Sequence, residues 1–202
     1  QRQMCIRDSS SGDNMDIDGE FGDYVTVLGR DNMVAGNYSL GIGSDNTTKG
    51  MAGFIAGKSN FIGPYSDYTG IIGGVANQTL DTLNFEGNRG YSVIFGGQSG
   101  YVKGGWSGVF SGFQNSLTGN YSAIIGGSSN KFNSRSDHSV VLGGSGNDFS
   151  NSDYSFVGGY RAGANHDGVF TFSGYDIENS DQTYITSEAD SQFLIYAFNG
   201  VG

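Results

Sequence analysis

The stretch Asn120-Tyr-Ser-Ala-Ile-Ile-Gly-Gly127 decides the fold of this chain, because close copies of it return along most of the sequence. An Asn usually follows the last glycine of a copy by three or four residues. A repeat this short cannot bury its own apolar surface, so the copies must stack to form a core. The sequence therefore predicts a rod of successive coils. The other copies span residues 24–29, 38–43, 68–74, 91–97, 138–144 and 154–159.

The length of the repeat is read from the glycine that ends each copy. The numbers of successive glycines differ by 14 to 17, except for one step of 23 between Gly73 and Gly96. The shortest step suffices for two strands of about four or five residues and two tight turns. We predict an all-β fold, a parallel β-solenoid of about ten rungs over residues 22–174, with a loop inserted at 80–88. The ladder glycines are predicted to be Gly29, Gly43, Gly57, Gly73, Gly96, Gly112, Gly126, Gly143 and Gly159, with Gly174 a looser match.

The strand cores contain pairs of adjacent apolar residues. Because side chains alternate along a strand, Ile124 and Val141 face one side, and Ile125 and Leu142 face the other. A solitary solenoid with one solvated strand face would alternate apolar with polar residues. Two apolar faces favour an oligomer, most simply a closed ring of identical chains, although two strands burying each other within a wider coil is an alternative. The same pairing recurs in Val27/Leu28, Ile71/Ile72 and Ile94/Phe95.

An aromatic residue precedes most strand cores. Rings stacked one rung apart stabilise each other by roughly 0.5–1.5 kcal/mol per pair. A surface row of Tyr could also stack against sugars, but the structural interpretation is preferred. We predict that the Asn after each glycine takes a left-handed turn position and bonds to its copies through the side-chain amide. The aromatic column comprises Tyr24, Tyr38, Tyr68, Tyr91, Tyr121 and Tyr154, with His138 in the same slot.

Composition restricts the partners of the chain. The formal net charge of −10 disfavours nucleic acid, because phosphate contacts need clustered Lys and Arg. The sequence has no run of about 18 apolar residues, so we expect no membrane insertion. The lone Cys5 excludes a disulfide framework within the chain. An aromatic content of 13% is too high for a disordered glycine-rich linker.

Both ends of the sequence differ from the repeats. Residues 1–21 are predicted to be a lead-in, and Gln3-Met-Cys-Ile-Arg-Asp-Ser9 resembles translated sequencing-adapter text. Residues 175–202 are predicted to be a non-repeat exit or neck segment that stops in mid-phrase. We therefore expect the chain to be a fragment of a longer protein whose anchoring domain lies elsewhere.

The tandem pattern Tyr/Ser-Ser-x-Ile-Ile-Gly-Gly-x-x-Asn resembles the YadA-like head repeats of trimeric autotransporter adhesins and the head domains of phage tail fibres. The resemblance covers about residues 22–174, and the segment 190–202 resembles the one located after such repeats in tail-fibre-like proteins. It implies a left-handed parallel β-roll with three chains side by side, an exception to the usual right-handed crossover. It also implies an extracellular location, on a bacterial cell surface or a phage virion. The irregular spacing and the 80–88 insertion depart from the family pattern.

Several apparent sites are better explained by the repeat. Residues 52–59 match a relaxed phosphate-loop pattern, but Asn60-Phe-Ile-Gly-Pro64 comes next, and a helix will not run through it. Residues 143–148 look like a calcium-binding nonapeptide, but Ser150 holds the slot that needs an apolar residue. An acidic lead-in, without the spacing of a helix-loop-helix calcium site, comprises Asp13, Asp16, Asp18, Glu20 and Asp23.

Catalysis, cofactors and metals are not expected. The two histidines, His138 and His166, show no pairing with a nucleophile in the sequence. A glycosidase would need paired carboxylates, and Asp137, Asp148, Asp153 and Asp167 show no common pattern.

We predict a structural or adhesive fibre head that forms a homotrimer and binds an unknown surface receptor, with glycans among the candidates, without catalysis. One alternative is a monomeric β-solenoid that binds a repetitive surface such as ice, for which a regular Thr ladder is needed. A less favoured alternative is a polysaccharide-acting β-rod. The receptor-binding residues are unknown, although loops usually carry specificity on a rigid scaffold.

Overall fold

The structure is a computed structural model that describes residues 24–80, 90–133, 136–174 and 185–197. Within these ranges every regular element is a β-strand, and all strand pairs are parallel. The strands form two sheets, and the chain passes from one sheet to the other in each coil. The prediction of an all-β parallel β-solenoid is confirmed.

The larger sheet, sheet A, has eleven strands in sequence order. They are β1 (Thr26–Arg30), β3 (Leu40–Ser44), β5 (Phe54–Lys58), β7 (Gly70–Val75), β9 (Val93–Ile94), β11 (Gly108–Val109), β13 (Ala123–Ile124), β15 (Val140–Ser145), β17 (Phe156–Tyr160), β19 (Phe170–Ser173) and β20 (Phe193–Tyr196).

The smaller sheet, sheet B, has nine strands of two residues each, so nine coils carry one strand of each sheet. They are β2 (Met33–Val34), β4 (Thr47–Thr48), β6 (Phe61–Ile62), β8 (Gln78–Thr79), β10 (Tyr101–Val102), β12 (Ser116–Leu117), β14 (Lys131–Phe132), β16 (Asp148–Phe149) and β18 (Gly163–Ala164).

The register of sheet A agrees with the predicted repeat length. Thr26 pairs with Leu40 and Leu40 pairs with Phe54, so the residue number rises by the same amount at each of these rungs. The long step pairs Gly70 with Val93, so the insertion lies where the sequence placed it, between neighbouring rungs. Apart from Leu80, whose N–H donates to the Val102 carbonyl at 2.8 Å, the predicted loop at 80–88 lies outside the described residues.

The core lies between the two sheets. One side chain of each apolar pair points into it, and Ile71, Ile94 and Ile124 are fully buried. Sheet B supplies the opposite wall through a column that includes Ile62, Val102, Leu117, Phe132 and Phe149. The Phe132 and Phe149 rings stack with centroids 4.3 Å apart. Neighbouring rungs therefore share one continuous core, as a short repeat requires.

A ladder of buried asparagines joins the rungs at one turn. The Asn46 Nδ2 donates to the Asn32 Oδ1 at 2.9 Å, to the Ile42 carbonyl within its own rung at 3.0 Å and to the Gly57 carbonyl of the next rung at 2.8 Å. The predicted amide bonding between copies is confirmed. The predicted left-handed conformation of the Asn is wrong, because the residue before it takes that conformation, as Asp45 does with φ 58°. The ladder comprises Asn32, Asn46, Asn60 and Asn77 and, after Gly100, continues through Asn115, Asn130 and Asn147.

The glycine column passes one residue later than predicted at four rungs with two adjacent glycines, while at Gly158-Gly159 the predicted Gly159 lies in the column. Gly144 pairs with Gly159, and Gly143 is the extra residue of a register shift between Val141 and Gly144. A Cβ on Gly144 would overlap the Gly159 carbonyl, whereas a Cβ on Gly143 would meet nothing within 4 Å. The predicted Gly73, Gly96, Gly126 and Gly143 each lie one residue before the column. The column itself runs through Gly29, Gly43, Gly57, Gly74, Gly97, Gly112, Gly127, Gly144 and Gly159.

The solenoid extends beyond residue 174. Strand β20 pairs in parallel with β19, from Phe170 with Phe193 to Ser173 with Tyr196. Ile185 forms a bridge with Ala162 next to sheet B. The described part of the predicted exit segment therefore adds one more rung to sheet A.

Two threonines interrupt the apolar wall of sheet B. The hydroxyls of Thr48 and Thr79 are buried and have no hydrogen-bond partner. We expect Thr48→Val and Thr79→Val each to raise the free energy of unfolding by on the order of 1 kcal/mol, because valine has the same shape and removes the unpaired hydroxyl. Urea denaturation measures the change.

Thr171→Val is the matched control for these two variants. Its hydroxyl is equally buried but donates to the Gly163 carbonyl at 3.0 Å, so this substitution should lower stability. A loss of stability in Thr48→Val equal to that in Thr171→Val would contradict the explanation.

Candidate interaction surface

The outer face of sheet A carries two largely apolar columns along its whole height, beside exposed strand ends such as Arg30 and Lys58. Since strand side chains alternate, the residue after each buried core position points outward. Ile124 is fully buried while Ile125 is 42% exposed, and Leu142, Phe95 and Phe110 are exposed in the same way. The Phe95 and Phe110 rings stack with centroids 5.1 Å apart. By register, this outer column comprises Leu28, Ile42, Ala56, Ile72, Phe95, Phe110, Ile125, Leu142, Gly158, Phe172 and Ile195.

A second outer column lies two residues earlier on each strand of sheet A. Its Phe156, Phe170 and Phe193 rings stack with centroids 4.9 and 4.6 Å apart. Thr26 is the one polar residue of this column. Ten steps between eleven strands give a height of about 50 Å, and two columns that each cover two residues of strand give a width of about 13 Å. Such a face, defined here as the apolar face, lies at the upper end of the largest apolar patches that monomers ordinarily leave exposed.

The outer face of sheet B differs from the apolar face. Its column mixes polar, charged and aromatic side chains without a run of one type. The predicted pairs of adjacent apolar residues thus lie on sheet A. In each pair one side chain points into the core and the other points to the outer surface. The sheet B column comprises Met33, Thr47, Phe61, Gln78, Tyr101, Ser116, Lys131, Asp148 and Gly163.

The aromatic column borders the apolar face, and the structure brings the predicted residues together in it. Tyr24 stacks on Tyr38 with centroids 5.1 Å apart. Sequence reasoning missed Trp106, which fills the slot between Tyr91 and Tyr121; its position midway between them in the sequence was the available signal. The continuous run is Tyr68, Tyr91, Trp106, Tyr121, His138 and Tyr154, with centroids 4.9 to 5.4 Å apart.

The aromatic column has an internal gap at Ala52. The Ala52 N–H donates to the Asn37 carbonyl, and the Tyr68 N–H donates to the Met51 carbonyl. The same bonding places Tyr121, His138 and Tyr154 in their slots. Ala52 therefore occupies the slot between Tyr38 and Tyr68 without a ring to stack on either.

A second polar ladder, which the sequence did not reveal, lies between the aromatic column and the apolar face. The Ser139 hydroxyl donates to the Ser152 carbonyl and accepts the Ser155 N–H at 2.9 Å. Ser122 and Ser155 repeat this arrangement on neighbouring rungs. These serines are buried, so their hydroxyls hold the backbone at the turn.

Three of the four acidic residues that show no common pattern in the sequence align in the structure. The Asp137 N–H donates to the Asp153 Oδ1 at 2.7 Å, and the Asp153 N–H donates to the Asp167 Oδ1 at 2.8 Å. The Asp167 N–H continues the series to the Asp190 Oδ1 at 3.2 Å. Each carboxylate thus accepts a backbone donor of the preceding rung, which is a structural role. Asp148 lies on sheet B, away from this column.

His166 has a hydroxyl neighbour that the sequence did not reveal. Its Nδ1 lies 3.0 Å from the Ser187 Oγ. The Ser187 side chain is 4% exposed, and its Oγ also accepts the Asn165 N–H at 2.9 Å. A buried oxygen held by two neighbours leaves little room for the approach of a carbonyl carbon, so the pair is suited to fixing a turn.

The segment 52–59, which matches a relaxed phosphate-loop pattern, contains strand β5. Lys58 ends β5, and β6 starts after two more residues, so no helix N-terminus faces the loop. Across the described ranges, no three His, Cys, Asp or Glu side chains come together as a metal-binding group. The same ranges contain no helix that is long and apolar enough to cross a membrane. The acidic lead-in lies outside the described residues.

The carboxyl of Asp148, on sheet B, has a raised pKa. Burial raises the pKa of this carboxyl above 3.8, and the charge of Lys131 on the neighbouring strand partly offsets the effect. The Asn133 Nδ2 lies 3.4 Å from its Oδ1. Because the folded state holds the proton more tightly, the ionised Asp148 destabilises the fold as pH rises through the raised value.

Comparison with known proteins adds no assignment: no protein-family model matches the chain, and no curated protein matches it in sequence. The fold and the outer surfaces define the class of the molecule as a parallel β-solenoid with one apolar outer face.

We expect Lys131→Met to raise the pKa of the Asp148 carboxyl further, because the substitution removes the charge that favours the carboxylate. Asp148→Asn should be more stable than the native chain at pH 7, with the difference vanishing below about pH 3. Titration of the carboxyl by NMR, with urea denaturation at both pH values, measures these effects. An unchanged or lower pKa in Lys131→Met contradicts the assignment.

Proposed function

We propose that this chain is the head of a surface-exposed fibre, a homotrimer that projects from its carrier and binds a receptor without catalysis. The apolar face is the observation that carries the proposal. It runs along all eleven strands of sheet A, while the outer face of sheet B is mixed and polar. An apolar surface of this height on one side of the rod requires a partner of the same height to bury it.

A second copy of the same rod is the cover that matches the apolar face best. The face has a footprint on the order of 600 Å² before side-chain relief, close to the roughly 800 Å² that one partner contributes to a standard interface. Identical rods share the rung spacing, so the rows of Ile, Leu and Phe on two copies remain in step along their length. Closed rings are the common solution for identical chains, and the resemblance of the repeats to YadA-like heads sets the expected number at three.

The surface chemistry supports a fibre head over an ice-binding monomer. Binding to a repetitive lattice requires a flat array of like polar groups. Thr26 is the single threonine in the two outer columns of sheet A, and Thr47 is the single threonine in the outer column of sheet B given above. The step between ladder asparagines also varies, from 14 at Asn46 to 17 at Asn147, which displaces turns from one another.

The rigidity of the rod supports a projecting role. Successive rungs are bonded through both sheets, and asparagine, serine and aspartate side chains add bonds between many of them. Loops on such a scaffold are the usual carriers of specificity, and the 80–88 insertion is the longest departure from the repeat before residue 174. Receptor binding through this insertion, or through the polar outer face of sheet B, leaves the apolar face to hold the copies together.

Assembly is tested by sedimentation and light scattering of the full chain. We expect a mass three times that of the 21.3 kDa chain. Ile125→Asp should dissociate it, because three carboxylates would be buried among apolar side chains, each at a cost of several kcal/mol. The far-UV circular dichroism should not change, since Ile125 points away from the core.

Ser116→Asp is the matched control, because Ser116 holds an outward position of sheet B near the same height of the rod. This variant should keep the native mass. A monomeric native chain, or an Ile125→Asp variant that stays trimeric, contradicts the assembly.

The receptor role is tested by exposing the full chain to immobilised glycans and to whole cells. We expect retention of the chain and no new reducing ends, because the proposal involves binding alone. The Ile125→Asp variant should bind more weakly by a factor on the order of 10² or more, since it loses multivalent attachment. Release of glycan fragments would instead support a polysaccharide-acting rod.

A further inference from the structure

We propose that the gap in the aromatic column at Ala52 is a binding slot for one planar aromatic ring, held between the side chains of Tyr38 and Tyr68. This site is independent of the apolar face and of the insertion at 80–88. Its ligand class is an aromatic side chain of a receptor protein, with the indole of tryptophan as the best fit.

The slot has the dimensions of one missing rung. Tyr38 and Tyr68 lie two rungs apart, a separation of about 10 Å between their rings. Neighbouring rings elsewhere in the column have centroids 4.9 to 5.4 Å apart. One inserted ring therefore restores the spacing on both of its sides.

Both walls of the slot are exposed on the surface. Within the described ranges, Tyr38 stacks on Tyr24 alone, and Tyr68 stacks on Tyr91 alone. Tyr38 is 62% exposed and Tyr68 is 52% exposed, so the added exposure of an uncovered ring face is seen at Tyr38. Tyr121, with a ring on each side, is 53% exposed. The Ala52 side chain at the base of the slot covers neither wall.

The column itself shows which rings its slots accept. Trp106 fills one slot, with its ring 5.2 Å from that of Tyr121 and inclined by 9°. His138 fills another at 5.0 Å and 8°. A bicyclic and a five-membered heteroaromatic ring thus stack at this spacing, and an incoming indole meets the same geometry at Ala52. Stacking on two faces gives such a ring twice the contact that it would find at an end of the column.

The backbone holds the slot open. Ala52 has φ 54°, the left-handed conformation that Tyr38 and Tyr68 share with φ 57° and 53°. Because the conformation is the same with and without a ring, binding needs no rearrangement of the turn. Such a preformed site loses little conformational entropy on binding.

The test is a titration of the full chain with N-acetyl-tryptophanamide, monitored by NMR shifts of the Tyr38 and Tyr68 ring protons. We expect one equivalent to bind and to shift both rings. Ala52→Trp should weaken binding at least tenfold, because its own side chain fills the slot. Unchanged binding in Ala52→Trp would overturn the proposal.

Two further variants separate the slot from a general change at the surface. Ala76→Trp makes the same substitution at the same left-handed conformation, φ 56°, but next to Asn77 of the asparagine ladder, so binding should remain native. Trp106→Ala creates a second gap between Tyr91 and Tyr121, so the number of bound equivalents should rise from one to two. A single equivalent in a folded Trp106→Ala variant, or a tenfold loss in Ala76→Trp, would overturn the assignment.

The chemical class of the ligand is tested with two competitors. Methyl β-glucoside supplies a sugar ring, and tetramethylammonium supplies a cation that aromatic faces also attract. We expect neither to displace N-acetyl-tryptophanamide at equal concentration. Displacement of N-acetyl-tryptophanamide by the glucoside or by the cation would overturn the aromatic assignment and indicate a sugar or a cation as the ligand class. All titrations are repeated on Ile125→Asp, so that the oligomeric state does not decide the result.

Discussion

The structure depends on the bonding between one rung and the next, because a single rung of this chain has no interior of its own. Parallel backbone bonds in the two sheets join the rungs, but each strand of sheet B has only two residues. The buried asparagines add hydrogen bonds between rungs, of which the short strands form few. Each Nδ2 bonds within its own rung and to the next glycine carbonyl, as Asn46 and Asn130 do. Register is thereby fixed at the turn, where the sheets leave it weakest.

The same stacking explains the surfaces of the molecule. Every column that faces outward repeats whatever residue type its position carries, so a preference at one position becomes a stripe about 50 Å tall. The apolar face and the aromatic column are two such stripes on the same side of the rod. A small residue within such a stripe, as Ala52 is in the aromatic column, then leaves a gap with a shape defined by its neighbours. The proposed assembly and the proposed ring site both depend on this stacking of equivalent positions into columns.

Sequence reasoning reached the fold because the repeat is a local signal. The strand cores, the short repeat length and the split of Ile124 from Ile125 need no knowledge of distant contacts. Where two glycines are adjacent, the sequence did not show which of them lies in the glycine column. Gly143 and Gly144 are the same residue type, and only the structure shows that Gly144 meets Gly159. Trp106 was not predicted because the other predicted members of the aromatic column are tyrosine or histidine. The aligned Asp137, Asp153 and Asp167 were not recognised as one column because unequal numbers of residues separate them.

The sequence by itself determined that this protein is a stack of short β-coils with apolar residues on both sides of its strands, because alternation and turn chemistry act within a few residues. Only the tertiary structure decided that the second apolar side belongs to sheet A, that the left-handed turn position precedes the asparagine, and that Ala52 interrupts the aromatic column. Those features depend on which residues of separate rungs lie above one another. Insertions and bulges set that alignment, and their effect is measured only across the stack.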